Sequence, residues 1–367
     1  MTKKGDHMRK LVSLVCIIST LAVGLVGCGS KNNTNSATAE IALVPATGSV
    51  DDKSFNQGAW EGVQQYSKEK GISAKYYKPA DSSETSIQSA MELAIAGGAK
   101  VVVCPGFLFS VPLYNIQDKY PEVSFIQLDG TPTDKDDNPV IANNVSAYSY
   151  TEQEAGFLAG YAAVKDGYRN LGFLGGISMP AVKRFGYGFV EGADYAAKEL
   201  GLNKGDITIN YDYTGSFDAT PEAQSKAAAW YANGTEVIFA CGGSVGNSVM
   251  SAAEAAGKKV IGVDVDQSSE SETVITSATK NIKKTVYDYL VEFYNGTAKG
   301  GKDTTLDATT DSVLLPMETS RFKTFDQAQY DAIYKTLQEG KVKVSDDKVA
   351  DTADKLPVEL VEVKVMK

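Results

Sequence analysis

Histidine is nearly missing from this chain. Its 367 residues hold one, His7, ahead of a long apolar run. Everything after residue 27 lacks an imidazole, which removes Ser-His-Asp and Cys-His catalysis and any zinc site built on histidine. Cysteine is scarce as well: beyond Cys28 only Cys104 and Cys241 remain. Each closes an apolar run (Val101-Val102-Val103-Cys104 and Val237-Ile238-Phe239-Ala240-Cys241) and reads as a small buried hydrophobe. No disulfide is expected between them, so the fold must stand on its hydrophobic cores. Basic residues are in deficit. Without the first 27 residues, which carry four basic side chains and one acid, 32 Lys and Arg face 45 Asp and Glu, a net charge of −13. A surface of that sign argues against nucleic acid as a partner, because a phosphate backbone needs basic residues. After the N-terminal run, no apolar stretch is long enough to span a bilayer.

What is present begins at the N-terminus. Arg9 and Lys10 precede the almost wholly apolar Leu11–Val26, the pattern of a signal peptide over residues 1–27, with residues 1–7 an upstream extension before Met8. Leu25-Val26-Gly27-Cys28 resembles the cleavage box of bacterial lipoproteins, in which the cysteine is diacylated and the chain is cut just before it. Residues 28–39 are small and polar beyond the cysteine, as a tether from a lipid anchor should be. The resemblance implies lipid on Cys28 and a place on the extracytoplasmic face of the cell membrane.

From Glu40 short apolar runs alternate with amphipathic stretches, the mark of parallel sheets flanked by helices. Strands are expected at 41–45, 74–78, 101–105, 123–128 and 140–145, with helices between them. A helix at 151–165, where Gly156 and Gly160 permit close packing, opens a second set with strands at 171–174, 207–211, 237–240, 260–263 and 274–277. Residues 296–311 read as a loop, 326–339 as a helix and 358–363 as a final strand. Two α/β sets of similar size predict two lobes with a cleft between them. Ligands of open α/β sheets bind beyond the carboxyl ends of the strands, so the residues that follow each strand are the candidates.

Those segments include Asp51-Asp52-Lys53-Ser54-Phe55-Asn56, Gly106-Phe107, Asp129-Gly130, Gly175-Gly176, Ser216-Phe217-Asp218, Gly242-Gly243-Ser244 and Asp264-Val265-Asp266-Gln267. The acids and Ser54 can cap the helix that starts near Asn56. Phe55 is either a buried staple or a stacking platform. Glycines admit a ligand to the backbone, and single carboxylates suit hydroxyl recognition.

Taken together, DDKSFNQ (51–57), PAVKRFGYGFVEG (180–192), VIFACGG (237–243), VIGVDVDQ (260–267) and TSATK (276–280) resemble the basic membrane lipoprotein family, purine-nucleoside-binding lipoproteins of bacterial ABC importers. The resemblance covers roughly Glu40 to Tyr294. It implies a type I periplasmic-binding-protein fold: two Rossmann-like lobes, a ligand cleft and three hinge crossings near 143–150, 277–281 and 311–316. The first lobe would hold 40–146 plus 281–312, the second 147–280 plus 313–367. It further implies that the base lies between Phe55 and Phe217, that Asp129 is the carboxylate of the first lobe, and that Gly243, Asp264 and Lys280 meet the ribose. Asp51, Asp52 and Asn56 belong to the motif, and one or more of them is expected to read the base edge. No cofactor is expected. A separate permease and ATPase are, since the chain has no second span and no P-loop.

Other readings compete. The run Gly242-Gly243-Ser244-Val245-Gly246 lacks the spacing of a P-loop or a dinucleotide site. Asp51 with Asp52, or Asp264 with Asp266, could be paired acids of a lipid-anchored nucleoside hydrolase. Such an enzyme would need a divalent metal on an aspartate cluster, and its dense Asp-x-Asp run after the first strand is missing. The same fold could instead take a sugar or another small polar ligand. A surface protein acting as antigen or signalling partner is a further class.

Overall fold

The computed structural model describes residues 38–366. The expected signal peptide, Cys28 and the expected tether up to residue 37 lie outside the described residues. The chain opens with β1 (Ile41–Leu43), α1 (Phe55–Lys70), β2 (Ala74–Tyr76), α2 (Glu84–Ala96) and β3 (Val101–Pro105). Next come α3 (Ser110–Gln117), β4 (Ser124–Leu128) and β5 (Val145–Tyr150). A second series follows: α4 (Glu152–Lys165), β6 (Asn170–Gly175), α5 (Pro180–Glu199), β7 (Ile207–Tyr213) and α6 (Pro221–Ala232). It continues with β8 (Val237–Cys241), α7 (Val245–Ala256), β9 (Lys259–Asp264) and β10 (Val274–Lys280). Then α8 (Ile282–Tyr294), β11 (Lys302–Leu306), β12 (Val313–Leu314), α9 (Gln327–Gln338) and β13 (Val361–Val365) complete the described chain.

Six strands pair in the order β11-β5-β4-β3-β1-β2 and seven in the order β12-β10-β9-β8-β6-β7-β13. All pairings are parallel except β10 with β12. Strands such as β3 and β8 are buried at every position, because helices on both faces leave a parallel sheet no solvent side. The chain passes between the sheets at residues 150–152, 280–282 and 306–313. These crossings are tied together. Tyr150 donates to Thr285 at 2.7 Å, the Thr151 amide reaches the Leu306 carbonyl at 3.0 Å, and the Asn281 amide reaches Ser312 at 2.9 Å.

Two expectations change. The last strand of the first series lies at Val145–Tyr150 instead of 140–145, and it belongs wholly to the six-stranded sheet, which moves the expected lobe boundary after residue 146 to residue 150. Asn144 explains the shift: its side-chain amide binds the carbonyls of Gln117, Tyr120 and Val123, which holds the preceding segment as a loop. Within the expected loop 296–311 lies β11, an edge strand parallel to β5. Its sequence Lys-Asp-Thr-Thr-Leu is mostly exposed, so it carries none of the apolar signal of the inner strands.

The closest helix pair is α4 against α5, and glycine makes it possible. A Cβ at Gly156 or Gly160 would come within 2.0 Å of the carbonyl oxygens of Phe185 or Phe189. The expected close packing at these two positions is present. It brings the start of α4, Glu152, beside Arg184 of α5.

Candidate ligand site

Loops after β1, β3, β4, β7, β8 and β9, with the end of β10 and the start of α5, line one cavity of about 810 Å³, its open mouth included. Its walls therefore come from both sheets. Phe55 enters from the start of α1 and Phe217 from the loop after β7. Phe217 packs on Gly176, where a Cβ would lie 2.4 Å from its ring. That is why the strand-end glycines matter: they give the phenylalanine its seat.

The polar floor is organised by Lys280, whose side chain is 2% exposed. Its ammonium lies 2.5 Å from Asp129 Oδ2, 3.2 Å from Asp264 Oδ1 and 3.5 Å from Glu152 Oε1. The same nitrogen stands 4.4 Å from the centre of the Phe55 ring, a cation–π contact. Burial works against the charge on Lys280, but Asp129, Asp264 and Glu152 outweigh it and hold the ammonium protonated. Burial, with Glu152 and Asp264 nearby, pushes Asp129 up to about 7 against the pull of Lys280. Asp129 Oδ1 is buried without a hydrogen-bond partner. Asp129 follows β4 and Asp264 ends β9, both in left-handed backbone with φ of 55° and 67°. Aspartate tolerates that conformation better than most residues.

Asp52 lines the cavity yet spends its carboxylate on the backbone. It accepts from the amides of Ser54 (2.9 Å), Asn56 (3.1 Å) and Gln57 (3.0 Å). Burial still lifts it to about 6, with Asp264 adding to the rise over the opposing effect of those amides. Asn56 donates to the Thr47 carbonyl at 2.9 Å and also lines the cavity. Ser54 does not cap α1; its hydroxyl turns to Asp264 instead.

Of the residues expected at the site, Asp52, Phe55, Asn56, Asp129, Phe217, Gly243, Asp264 and Lys280 share this cavity. Asp51 does not: it is exposed and bonds Ser49, which holds its carboxyl below the ordinary range. The acids considered as catalytic pairs are likewise split by environment. Asp266 is exposed and accepts from Thr319 at 2.6 Å, while Asp264 is buried on Lys280. Cys104 and Cys241 are free and buried, as their apolar runs imply. Cys28 lies outside the described residues.

Sequence reasoning missed Glu152 and Arg184. Glu152 is fully buried and bonds Arg184 Nε at 2.6 Å. Burial disfavours its charge, yet Arg184 and Lys280 together hold its carboxyl below the ordinary range. In the sequence it looks like any acid in the first turn of a helix. Arg184 left a better signal, being one of only four arginines in the chain.

Two parallel-sheet lobes around a cavity with a charged floor define a solute-binding protein of the periplasmic type. The chain belongs to the Bmp family: residues 39–350 match the family model described as ABC transporter substrate-binding protein, PnrA-like. It is 30% identical over 325 residues to the ABC transporter nucleoside-binding protein BmpA of Lactococcus lactis, covering 80% of this chain and 88% of that one. It is 31% identical over 303 residues to basic membrane protein A1 of Borrelia garinii, covering 80% and 84%. Among solved structures, an ABC transporter solute-binding protein of Aeropyrum pernix aligns with a TM-score of 0.74 at 20% identity, over 86% of this chain and 95% of that one. The fold and family implied by the sequence motifs are those found.

Proposed function

We propose that this protein captures a nucleoside with a purine base between its lobes and delivers it to an ABC permease powered by a separate ATPase. The observation that carries the reading is the pairing of two phenylalanines, Phe55 and Phe217, with one charged floor in a single cavity. A nucleoside offers a flat aromatic base, two vicinal hydroxyls and no phosphate. Stacking on a phenylalanine contributes about 1–3 kcal/mol per base. Asp129 and Asp264 can accept from ribose hydroxyls, with Lys280 and the Gly243 backbone as neighbours. Asn56 and the loop around Asp52 face the base edge in this arrangement. A phosphate would meet Asp129 and Asp264, so nucleotides should bind poorly.

The same reading holds the protein on the extracytoplasmic face of the membrane through lipid on Cys28. Among the described residues no helix is long and apolar enough to cross a membrane, so attachment falls to the segment before them. The lobes would then be 40–150 plus 281–306 and 151–280 plus 313–367, with the residues between them as hinges. Titration calorimetry of the soluble form that begins after Cys28 tests the ligand. Inosine, guanosine or adenosine should bind more tightly than cytidine, and far more tightly than ribose. Ribose binding as tightly as inosine would assign the cavity to a sugar.

A further inference from the structure

Arg184 does not line the cavity, yet it stands one carboxylate away from the cavity's lysine. Its Nε binds Glu152 Oε2 at 2.6 Å and its Nη1 binds Asp347 Oδ1 at 3.0 Å. The other oxygen of Glu152 lies 3.5 Å from Lys280 Nζ, and Lys280 in turn lies 2.5 Å from Asp129 and 3.2 Å from Asp264. Charges thus alternate along a chain: Asp347, Arg184, Glu152, Lys280, then the two cavity acids. Glu152 opens α4 at the first crossing and Lys280 ends β10 at the second.

Three carboxylates converge on one ammonium, and Glu152 is the most distant of them. Arg184 already binds Glu152 by a short charge-assisted bond, which draws that carboxylate away from the lysine. Without Arg184, a fully buried Glu152 would have Lys280 as its remaining cation partner. An uncompensated buried carboxylate is costly, so Glu152 would draw Lys280 off Asp129 and Asp264.

We infer that Arg184 is a positioning residue for ligand capture: by holding Glu152, it leaves Lys280 committed to the two cavity acids. The ligand half of this inference rests on the nucleoside reading above; the placement of Lys280 does not.

The test uses the soluble chain with Arg184→Met, Arg184→Met/Glu152→Gln and Arg184→Lys. Two readouts are taken: inosine affinity by calorimetry, and the ammonium resonance of Lys280 in lysine-labelled protein, assigned by its loss in Lys280→Met. Arg184→Met should weaken inosine about tenfold, a typical coupling between contacting charges, and shift the Lys280 resonance. Glu152→Gln in the same chain should return both toward wild type, because the competing charge is gone. Arg184→Lys should fall between wild type and Arg184→Met. Neither readout moving in Arg184→Met, or no rescue by Glu152→Gln, would reduce Arg184 to packing. If Arg184→Met does not fold, Arg184→Lys with and without Glu152→Gln decides by the same criteria. Failure of wild type to bind inosine would sink the nucleoside reading alone, and the Lys280 resonance would still decide the role of Arg184.

Discussion

Ser54 of the first lobe donates its hydroxyl to Asp264 of the second, 2.5 Å away and out of solvent. Beside it Gln267 donates to the Lys53 carbonyl at 2.7 Å, and Lys53 pairs with Glu270 at 3.6 Å. The segment that carries Phe55 is therefore fastened directly to the loop that carries a cavity acid. Asp264 uses one oxygen for Ser54 and the other for Lys280.

Removing that fastening should be felt by the ligand. Ser54→Ala deletes a bond to a carboxylate, an interaction of about 1.5–3 kcal/mol, and leaves a buried oxygen of Asp264 unpaired. Inosine affinity should fall, and the ligand-free protein should expand in small-angle scattering as the lobes part. Wild-type affinity together with an unchanged radius would show that the contact joins the lobes without holding them.

The raised pKa of Asp52 gives a pH signature. Between about pH 4 and about pH 6 the folded protein keeps a proton on Asp52 that the unfolded chain has already released. The contribution of Asp52 to stability is thus full below the unfolded value of 3.8 and falls, by about 3 kcal/mol in all, as pH rises to about 6. Asp52→Asn removes this titration. Urea unfolding across that range should show the variant gaining on wild type as pH rises. A stability difference independent of pH contradicts the shift.

The two cavity acids should each matter to binding. Asp129→Ala and Asp264→Ala remove the charge-assisted hydrogen bonds proposed for the ligand and should each weaken inosine by about 1.5–3 kcal/mol. Each also unbalances Lys280, so circular dichroism must accompany the calorimetry. Affinity equal to wild type in both folded variants would confine these acids to holding the lysine.

Much of the fold was legible because parallel strands buried on both faces are written as continuous apolar runs, as in Val101–Pro105 and Val237–Cys241. The strand β11 was not, since an exposed edge strand needs no apolar residues. At the site, strand-end position and motif picked out Phe55, Asp129, Phe217, Asp264 and Lys280, all of which meet in the cavity. Asp51 stands outside that lining, because in a turn neighbours in sequence face different ways. Ser54 was read as a cap because the local pattern allows it; its true partner is 210 residues away. Glu152 and Arg184 were missed for the same reason, their roles being set by the meeting of α4 and α5.

The anchor is tested apart from the cavity. Cys28→Ser removes the sulfur proposed to carry the lipid and should move the protein from the membrane fraction to the medium or periplasm. Continued membrane retention of that variant would contradict lipid attachment at Cys28.

In the proposed mode of binding, two phenylalanines from different lobes hold a flat base between them. The most direct measurement is calorimetry of wild type, Phe55→Ala, Phe217→Ala and the double variant with inosine and with ribose. Each single change should cost inosine about 1–3 kcal/mol. Since each ring depends on the ligand being held against the other, the two losses should be non-additive. Any ribose binding should change much less. Equal losses for inosine and ribose, or strictly additive losses for inosine, would contradict a stacked base in this cavity.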